Sequence, residues 1–274
     1  MSDIEITVDG GTSKRLLTAG KYCDRNIKVT ATGGCGEPEP PDDGKTRLYI
    51  TVPANSMPDR PPPRNEVPLY IQQSVDNGVS IDWGDGGDPE TLPGTGNVNT
   101  THTYQQAGDY VISLDPADGC ELGLGWSNVN YCVMGITSDL QNAIYTFMLK
   151  RCIVGRIGVT SIDAYAFSYC SGLFSATITD SVTSIGKHSF ESCYCLSSII
   201  IPSGVTSIGD SAFNYCSGIK ECHFLSTDPP GLSTTAFDGI PRDCVIYVPA
   251  GSLEAYQTAA NWSAYADQMR EEGA

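Results

Sequence analysis

Three aspartates lie close together around a glycine turn. Asp82, Asp85 and Asp88 belong to the stretch Asp-Trp-Gly-Asp-Gly-Gly-Asp, directly after an apolar run that begins at Val79. Hard carboxylate oxygens are the ligands that Ca²⁺ prefers, so these residues are candidate calcium ligands. The alternative is that aspartate and glycine only shape the turn and the carboxylates are solvated, which the lack of EF-hand spacing favours. No other cofactor is expected.

The three histidines do not predict catalysis. His102, His188 and His223 are far apart in the sequence, and neither a Gly-x-Ser-x-Gly elbow nor a His-Glu-x-x-His helix accompanies them. No glycine-rich phosphate loop opens a helix. His102 is best explained as a packed, hydrogen-bonded residue, because buried polar groups are normally satisfied. We therefore predict that the protein is not an enzyme.

Three of the 11 cysteines, Cys170, Cys193 and Cys216, recur every 23 residues. Residues at one phase of a repeat stack, so we expect a buried ladder of small apolar thiols. The segment Met1–Asp9 lacks the basic and apolar regions of a signal peptide, which favours reduced thiols over a disulfide scaffold. Metal binding is disfavoured because Cys193 and Cys195 do not form a C-x-x-C pair and the histidines are distant in sequence.

The segments that must position the three repeated cysteines also recur every 23 residues. Gly158–Ile162, Ser181–Ile185 and Gly204–Ile208 each read x-Val-Thr-Ser-Ile, and each is followed five residues later by a phenylalanine. A fixed period of this length is typical of a solenoid, whose coils must stack because no single coil buries its own apolar face. A stacked solenoid offers an extended surface rather than a closed pocket, which favours binding over catalysis.

Each copy of the phrase is followed by a predicted strand, namely Leu173–Ile178, Leu196–Ile201 and Ile219–Phe224. Side chains alternate along a strand, so the apolar positions 173, 176 and 178 and their equivalents should point inward. The intervening side chains should form two parallel outward rows, spaced about 4.8 Å per coil. These candidate ligand-binding residues are Ser175, Thr177, Ser198, Ile200, Glu221 and His223. The alternative is that this face is only solvated or packs on a neighbouring chain.

Composition divides the chain into four parts. Residues 1–33 alternate apolar and polar positions and predict a small β module, interpreted as an anchor. Residues 34–45 are rich in proline, glycine and acidic residues and predict a linker. Residues 46–130 predict a second β region, and residues 131–274 predict the solenoid, with a degenerate first coil and a C-terminal helical cap after Ser252. The predicted fold class is mainly β.

Two parts of the chain resemble known families. Residues 135–268 resemble BspA-like leucine-rich repeats, which read V-T-S-I-G-x-x-A-F-x-x-C and end in I-Y-V-P-A-G-S, as at 246–252 here. The W-G-D-G at 83–86 and the H-T-Y-x-x-x-G-x-Y at 102–110 resemble motifs of the PKD-type immunoglobulin-like sandwich, which implies that fold for the second region. The BspA-like family occurs in bacterial surface adhesins and in proteins encoded by phages, and residues 16–27 resemble tail-associated phage proteins.

Charge and hydropathy limit the partners. The net charge of −16 argues against nucleic acid, whose phosphates require a basic surface, and no apolar run predicts membrane insertion. We predict a non-enzymatic attachment protein of a phage virion, without a signal peptide, that is released when the host lyses. Its expected partners are other virion proteins, through the N-terminal module, and a host surface protein or glycan; a homo-oligomer is compatible with this role. The alternatives are a bacterial cell-surface adhesin and a structural virion protein that binds only neighbouring subunits.

Overall fold

The structure is a computed structural model that describes residues 6–8, 11–13, 43–53, 65–125, 131–136, 148–155 and 157–273. The chain is mainly β, as predicted. In the N-terminal module, β1 (Ile6–Val8) and β2 (Gly11–Ser13) form an antiparallel hairpin in which Val8 pairs with Gly11. The sequence Asp9-Gly10-Gly11 predicts a turn, which is consistent with this pairing. The predicted second half of this module and most of the linker lie outside the described residues.

Two antiparallel sheets follow and form a β-sandwich. The first sheet contains, as neighbours in this order, β3 (Thr46–Val52), β8 (Gly108–Pro116), β5 (Val79–Asp82) and β6 (Glu90–Thr91). The second contains β7 (Gly96–Thr103), β4 (Glu66–Gln73) and β9 (Leu122–Leu124). Burial alternates along β3 and β4, and Leu48, Leu69 and Ile112 are fully buried in one core. The alternation arises because one face of each sheet packs on the other and the opposite face meets water.

Strand β4 begins earlier than the sequence pattern indicated. Prolines are dense between Pro58 and Pro68 in the sequence and predict a loop there, whereas β4 begins at Glu66 and includes Pro68. The N–H of Tyr70, two residues on, points away from β7 and donates to Val133. Residues two apart in a strand present their N–H groups to the same side, so the missing N–H of Pro68 also lies away from β7. The strand therefore accommodates the proline without losing a bond to β7.

The repeats form a solenoid with two parallel ladders of strands. One ladder contains β13 (Ser161–Ile162), β15 (Ser184–Ile185), β17 (Ser207–Ile208) and β19 (Gly231–Leu232). The other side carries β12 (Leu149–Val154), β14 (Ser175–Ile178), β16 (Ser198–Ile201), β18 (Glu221–Phe224) and β20 (Val245–Val248). This second ladder is divided: β12 pairs with β14, and β16, β18 and β20 pair in turn, while β14 and β16 belong to separate sheets. The strands β14, β16 and β18 each start two residues later than predicted. The reason is that the preceding residues belong to a turn, as shown by the bond from the Leu173 N–H to the Cys170 carbonyl (3.0 Å).

A column of phenylalanine rings fills the centre of the solenoid. Phe167, Phe190, Phe213 and Phe237 are all fully buried, and consecutive ring centroids lie 5.1, 5.2 and 5.1 Å apart. The rings are nearly parallel, with interplanar angles of 16°, 2° and 7°. This stacking confirms that the phenylalanine phase of the repeat is the core phase.

The cysteine ladder lies beside this column and is confirmed as buried and reduced. The thiol of Cys193 donates to the carbonyl of Phe167 (3.2 Å), and the thiol of Cys216 donates to the carbonyl of Phe190 (3.1 Å). Each thiol thus bonds to the preceding coil. The described cysteines with free thiols are Cys120, Cys132, Cys152, Cys170, Cys193, Cys216, Cys222 and Cys244. Cys195 is the exception and is disulfide-bonded.

The C-terminal end of the solenoid is covered by α1 (Leu253–Thr258), a 3₁₀ helix (Trp262–Gln268) and β21 (Met269–Glu271), as the predicted cap requires. The Trp262 ring is fully buried 6.2 Å from that of Phe237, and its Nε1 donates to the Pro230 carbonyl (2.8 Å). The hydroxyl of Ser252 was expected to cap α1, but it donates to the carbonyl of Pro249 (2.6 Å) instead. Within the described residues, no helix has the length and apolar character needed to cross a membrane.

The N-terminal end of the solenoid is covered by the sandwich. Strand β12 pairs in parallel with β14 and antiparallel with β3, so one six-stranded sheet runs from the sandwich into the solenoid. On the other side, the Leu122 N–H donates to the Gly158 carbonyl (2.8 Å). In the first coil, β10 (Tyr131–Cys132) and β11 (Gly135–Ile136) form an antiparallel hairpin. The first coil departs from the repeat because its neighbour is the sandwich rather than another coil.

Candidate recognition face

The two predicted outward rows are present on the β14–β16–β18 side of the solenoid. Ser198 pairs with Glu221 and Ile200 with His223 in the parallel ladder. All six predicted side chains are exposed or partly exposed, while the residues that alternate with them are buried; the six are Ser175, Thr177, Ser198, Ile200, Glu221 and His223. The predicted inward and outward register is therefore confirmed, whereas ligand contact stays a prediction.

An apolar side chain stands in the middle of this otherwise polar face. Ile200 is 53% exposed, although Ile199 and Ile201 on either side of it are buried. Its paired neighbour His223 presents a flat ring beside it. Exposed apolar surface surrounded by polar groups is typical of contact sites, because burying it against a partner removes it from water.

His223 is held in one orientation by three neighbours. Its Nδ1 lies 2.5 Å from the Glu272 carboxylate and its Nε2 lies 3.5 Å from that of Glu221. The ring stacks on Tyr247, with centroids 4.7 Å apart and 17° between the planes. Glu272 follows β21, so this cluster also ties the cap to the sheet. His223 therefore has a structural role as well as an outward position.

The face extends beyond the solenoid onto the sandwich. Through β12, the row of Ser175 continues to Arg151 and then to Tyr49, and the row of Thr177 continues to Ile153 and Arg47. The guanidinium carbon of Arg151 lies 5.1 Å from the centre of the Tyr49 ring, within the range of a cation–π contact. Sequence reasoning missed these sandwich residues. The alternation in β3 marked them as outward, but no local signal indicated that β3 would pair with β12.

Arg47 is further tied to the start of the sandwich. Its guanidinium lies 2.5 Å from the Asp43 carboxylate, and this hydrogen bond lowers the pKa of Asp43 from its usual value. The sandwich end of the face is less accessible, because the Arg47 side chain is only 11% exposed and the Tyr49 hydroxyl is buried. The cap end carries the carboxylates of Glu221 and Glu272. The face as a whole can contact a polar partner through charges, hydroxyls and a central apolar group.

The aspartate turn after β5 has a structural explanation. The carboxylate of Asp82 accepts a bond from the Gly84 N–H (2.9 Å), and that of Asp85 accepts one from the Gly87 N–H (3.2 Å). The other oxygen of Asp85 lies 2.8 Å from His102 Nε2, and the hydrogen bond to this ring lowers the pKa of Asp85. The His102 ring stacks on Trp83, with centroids 4.7 Å apart. This arrangement matches the expected packed role of His102.

The calcium interpretation of this turn gains no geometric support. In the described parts of the chain, no group of three or more histidine, cysteine, aspartate or glutamate side chains is arranged to hold a metal ion. Asp82, Asp85 and Asp88 therefore do not form such a group. The turn interpretation accounts for the bonds that Asp82 and Asp85 make.

The repeat region of the chain matches a known protein family. Residues 142–240 match the family described as BspA type Leucine rich repeat region, in six copies. The solenoid carries BspA-type repeats. No curated protein sequence matches the chain. BspA-type repeats indicate a protein-interaction or surface role, because stacked coils present an extended face and typically serve as interaction scaffolds.

Proposed function

We propose that this protein is a non-enzymatic recognition protein that attaches to a host surface through the outward face described above. The observation that carries the proposal is the parallel register that lines up Ser198 with Glu221, and Ile200 with His223 and Tyr247, on the outward side of the solenoid sheet. A surface of this length suits an extended protein or glycan partner rather than a small substrate. Exposure of Ile200 at its centre supports the same interpretation.

We further propose that the protein is a component of a phage virion. The resemblance of the second region to PKD-type sandwiches, the BspA-type repeats and the resemblance of residues 16–27 to tail-associated proteins support this location. The N-terminal module would then contact other virion proteins. The alternatives are a bacterial cell-surface adhesin and a purely structural virion protein. Mass spectrometry of purified particles distinguishes the adhesin, which would be absent from them, from the two virion proteins, which would be present.

A paired substitution on the face tests attachment. Ser198→Lys combined with Ile200→Glu changes two exposed side chains and leaves the buried Ile199 and Ile201 intact. We expect this variant to lose binding to envelope extract of the bacterium that carries the gene. Its matched control is Ser203→Glu combined with Ser207→Lys, two exposed serines elsewhere on the solenoid.

The outcomes separate the candidates. Retained binding by the folded Ser198→Lys/Ile200→Glu variant would exclude this face as the attachment site. If the wild-type protein is present in particles but binds no envelope component, the purely structural virion role is correct instead. Circular dichroism and thermal unfolding establish that both double variants are folded.

A further inference from the structure

A polar cleft of about 460 Å³ lies where the sandwich meets the coil that begins at Gly158. Strands β4 and β9 form one wall, and the segment 158–163 forms the other. The lining includes the side chains of Gln72, Ser74, Glu121, Thr160, Ser161 and Asp163. Its size lies within the range of ligand sites in proteins, and its lining is mostly hydroxyl, amide and carboxylate.

Asp163 departs from the repeat at this place. The equivalent residues of the next two coils are Gly186 and Gly209, where a Cβ atom would lie only 2.7 and 2.8 Å from the backbone of the preceding coil. At Asp163 a side chain fits, because the carboxylate packs against the sandwich instead. Its neighbour is Gly123 of β9, and any Cβ atom at 123 would overlap the Asp163 carboxylate. The fold thus places a carboxylate at a position that the next two coils keep free of a side chain.

The charge of Asp163 is poorly compensated. Its carboxylate accepts bonds from the Ser161 hydroxyl (3.2 Å) and the Gln72 amide (3.4 Å), which are neutral groups. Burial raises the pKa of this carboxyl above its usual value. Glu121 adds a second carboxylate to the cleft, and none of the described residues that line it is a lysine or arginine. A partly buried carboxylate without a cationic partner is disfavoured, so a positively charged ligand would stabilise this site.

We propose that the cleft binds an organic cation, either a primary ammonium or a guanidinium group, with Asp163 as its counter-ion. The hydroxyls of Thr160 and Ser161 supply acceptors for the N–H groups that do not reach the carboxylate. An anionic ligand would be repelled by Asp163 and Glu121. A neutral sugar fits less well, because the described lining offers no aromatic ring for stacking. A metal ion fits less well too, because the described residues include no metal-holding group.

Binding of defined cations to the full chain tests the proposal. The probes are putrescine, lysine amide and arginine amide with blocked amino termini, and glucose as a neutral comparison, each titrated by calorimetry at pH 7. We expect the cations to bind and glucose not to bind. Stronger binding of the blocked amino acids points to a side chain of a partner protein, whereas stronger binding of putrescine points to a free polyamine, and both results support the site. Preferential binding of glucose would overturn it.

Three variants locate the binding. Asp163→Asn removes the counter-ion and should weaken cation binding by about tenfold or more. Gly123→Ala keeps the net charge but displaces the flexible carboxylate, so we expect a similar loss without unfolding. Asp180→Asn removes an exposed carboxylate that does not line the cleft and serves as the charge-matched control. Equal weakening by Asp163→Asn and Asp180→Asn, or no binding of any cation, would show that the proposal is wrong.

Discussion

The rings of Phe190 and Phe213 lie parallel, with centroids 5.2 Å apart and 2° between their planes. Because Phe190 also stacks on Phe167, it contacts a ring on each side and holds three coils together. We expect Phe190→Ala to lower the free energy of unfolding by about 3–5 kcal/mol, through lost burial and the cavity left behind. Chemical denaturation measures the change.

The matched control is Phe174→Ala, because Phe174 is 51% exposed in the same repeat array. We expect this change to alter stability by about 0.5 kcal/mol or less. Equal effects of the two substitutions would contradict the central role of the phenylalanine column.

The thiols of the cysteine ladder (Cys170, Cys193 and Cys216) should be inert in the folded protein. Burial raises the pKa of Cys216 to about 12, so the reactive thiolate is scarce at pH 8. We expect little reaction with a thiol reagent under native conditions and at least eight reactive thiols after denaturation without reductant, since eight described cysteines are free. A count of fewer than about three after denaturation would contradict the reduced ladder.

Close packing between coils should require glycine at position 186 and at its equivalent, position 209. A Cβ atom at Gly186 would lie 2.7 Å from the Ala164 backbone nitrogen, which cannot move without separating two coils. We expect Gly186→Ala to lower the melting temperature, at a cost of about 1–3 kcal/mol for overpacking. Gly231→Ala is the control, because its nearest contact would be an ordinary 3.6 Å. A larger decrease in melting temperature for Gly231→Ala than for Gly186→Ala would contradict this explanation.

The solenoid should depend on the sandwich. In the intact chain, β12 is covered by β3 through the pairs Cys152–Leu48 and Ile153–Arg47. A fragment of residues 131–274 would expose the unpaired edge of β12 and the first coil, so we expect it to self-associate and to melt at a lower temperature than the full chain. Size-exclusion chromatography and thermal unfolding measure both effects. A monomeric fragment of unchanged stability would contradict this dependence.

Asp163 should reduce stability at neutral pH. Its folded-state pKa is raised by burial, so the native state binds the proton more tightly than the unfolded chain does. Stability therefore falls as the pH rises through the pKa of the folded-state carboxyl. We expect Asp163→Asn to unfold at a higher temperature than the wild type at pH 7. We expect the difference to be smallest below about pH 3, where the carboxyl is protonated in both the folded and the unfolded state. A variant that is less stable at pH 7 would contradict this sign.

The sequence by itself determined the internal order of the solenoid. A strict repeat makes each residue the neighbour of its own equivalent in the next coil, so Phe190 had to meet Phe167 and Phe213, and Ile200 had to point outward between buried Ile199 and Ile201. Period-two alternation then separated the inward side chains from the outward rows. Local spacing was sufficient because every contact of this kind repeats in sequence.

Only the tertiary structure decided how the sandwich meets the solenoid. Strand β3 pairs with β12 about a hundred residues away, and nothing in either strand selects the other, because their apolar alternation suits many partners. The same packing brings Gly123 against Asp163 and so creates the cleft. Such contacts join segments unrelated by any repeat, and the global burial of both apolar edges determines them rather than a local pattern.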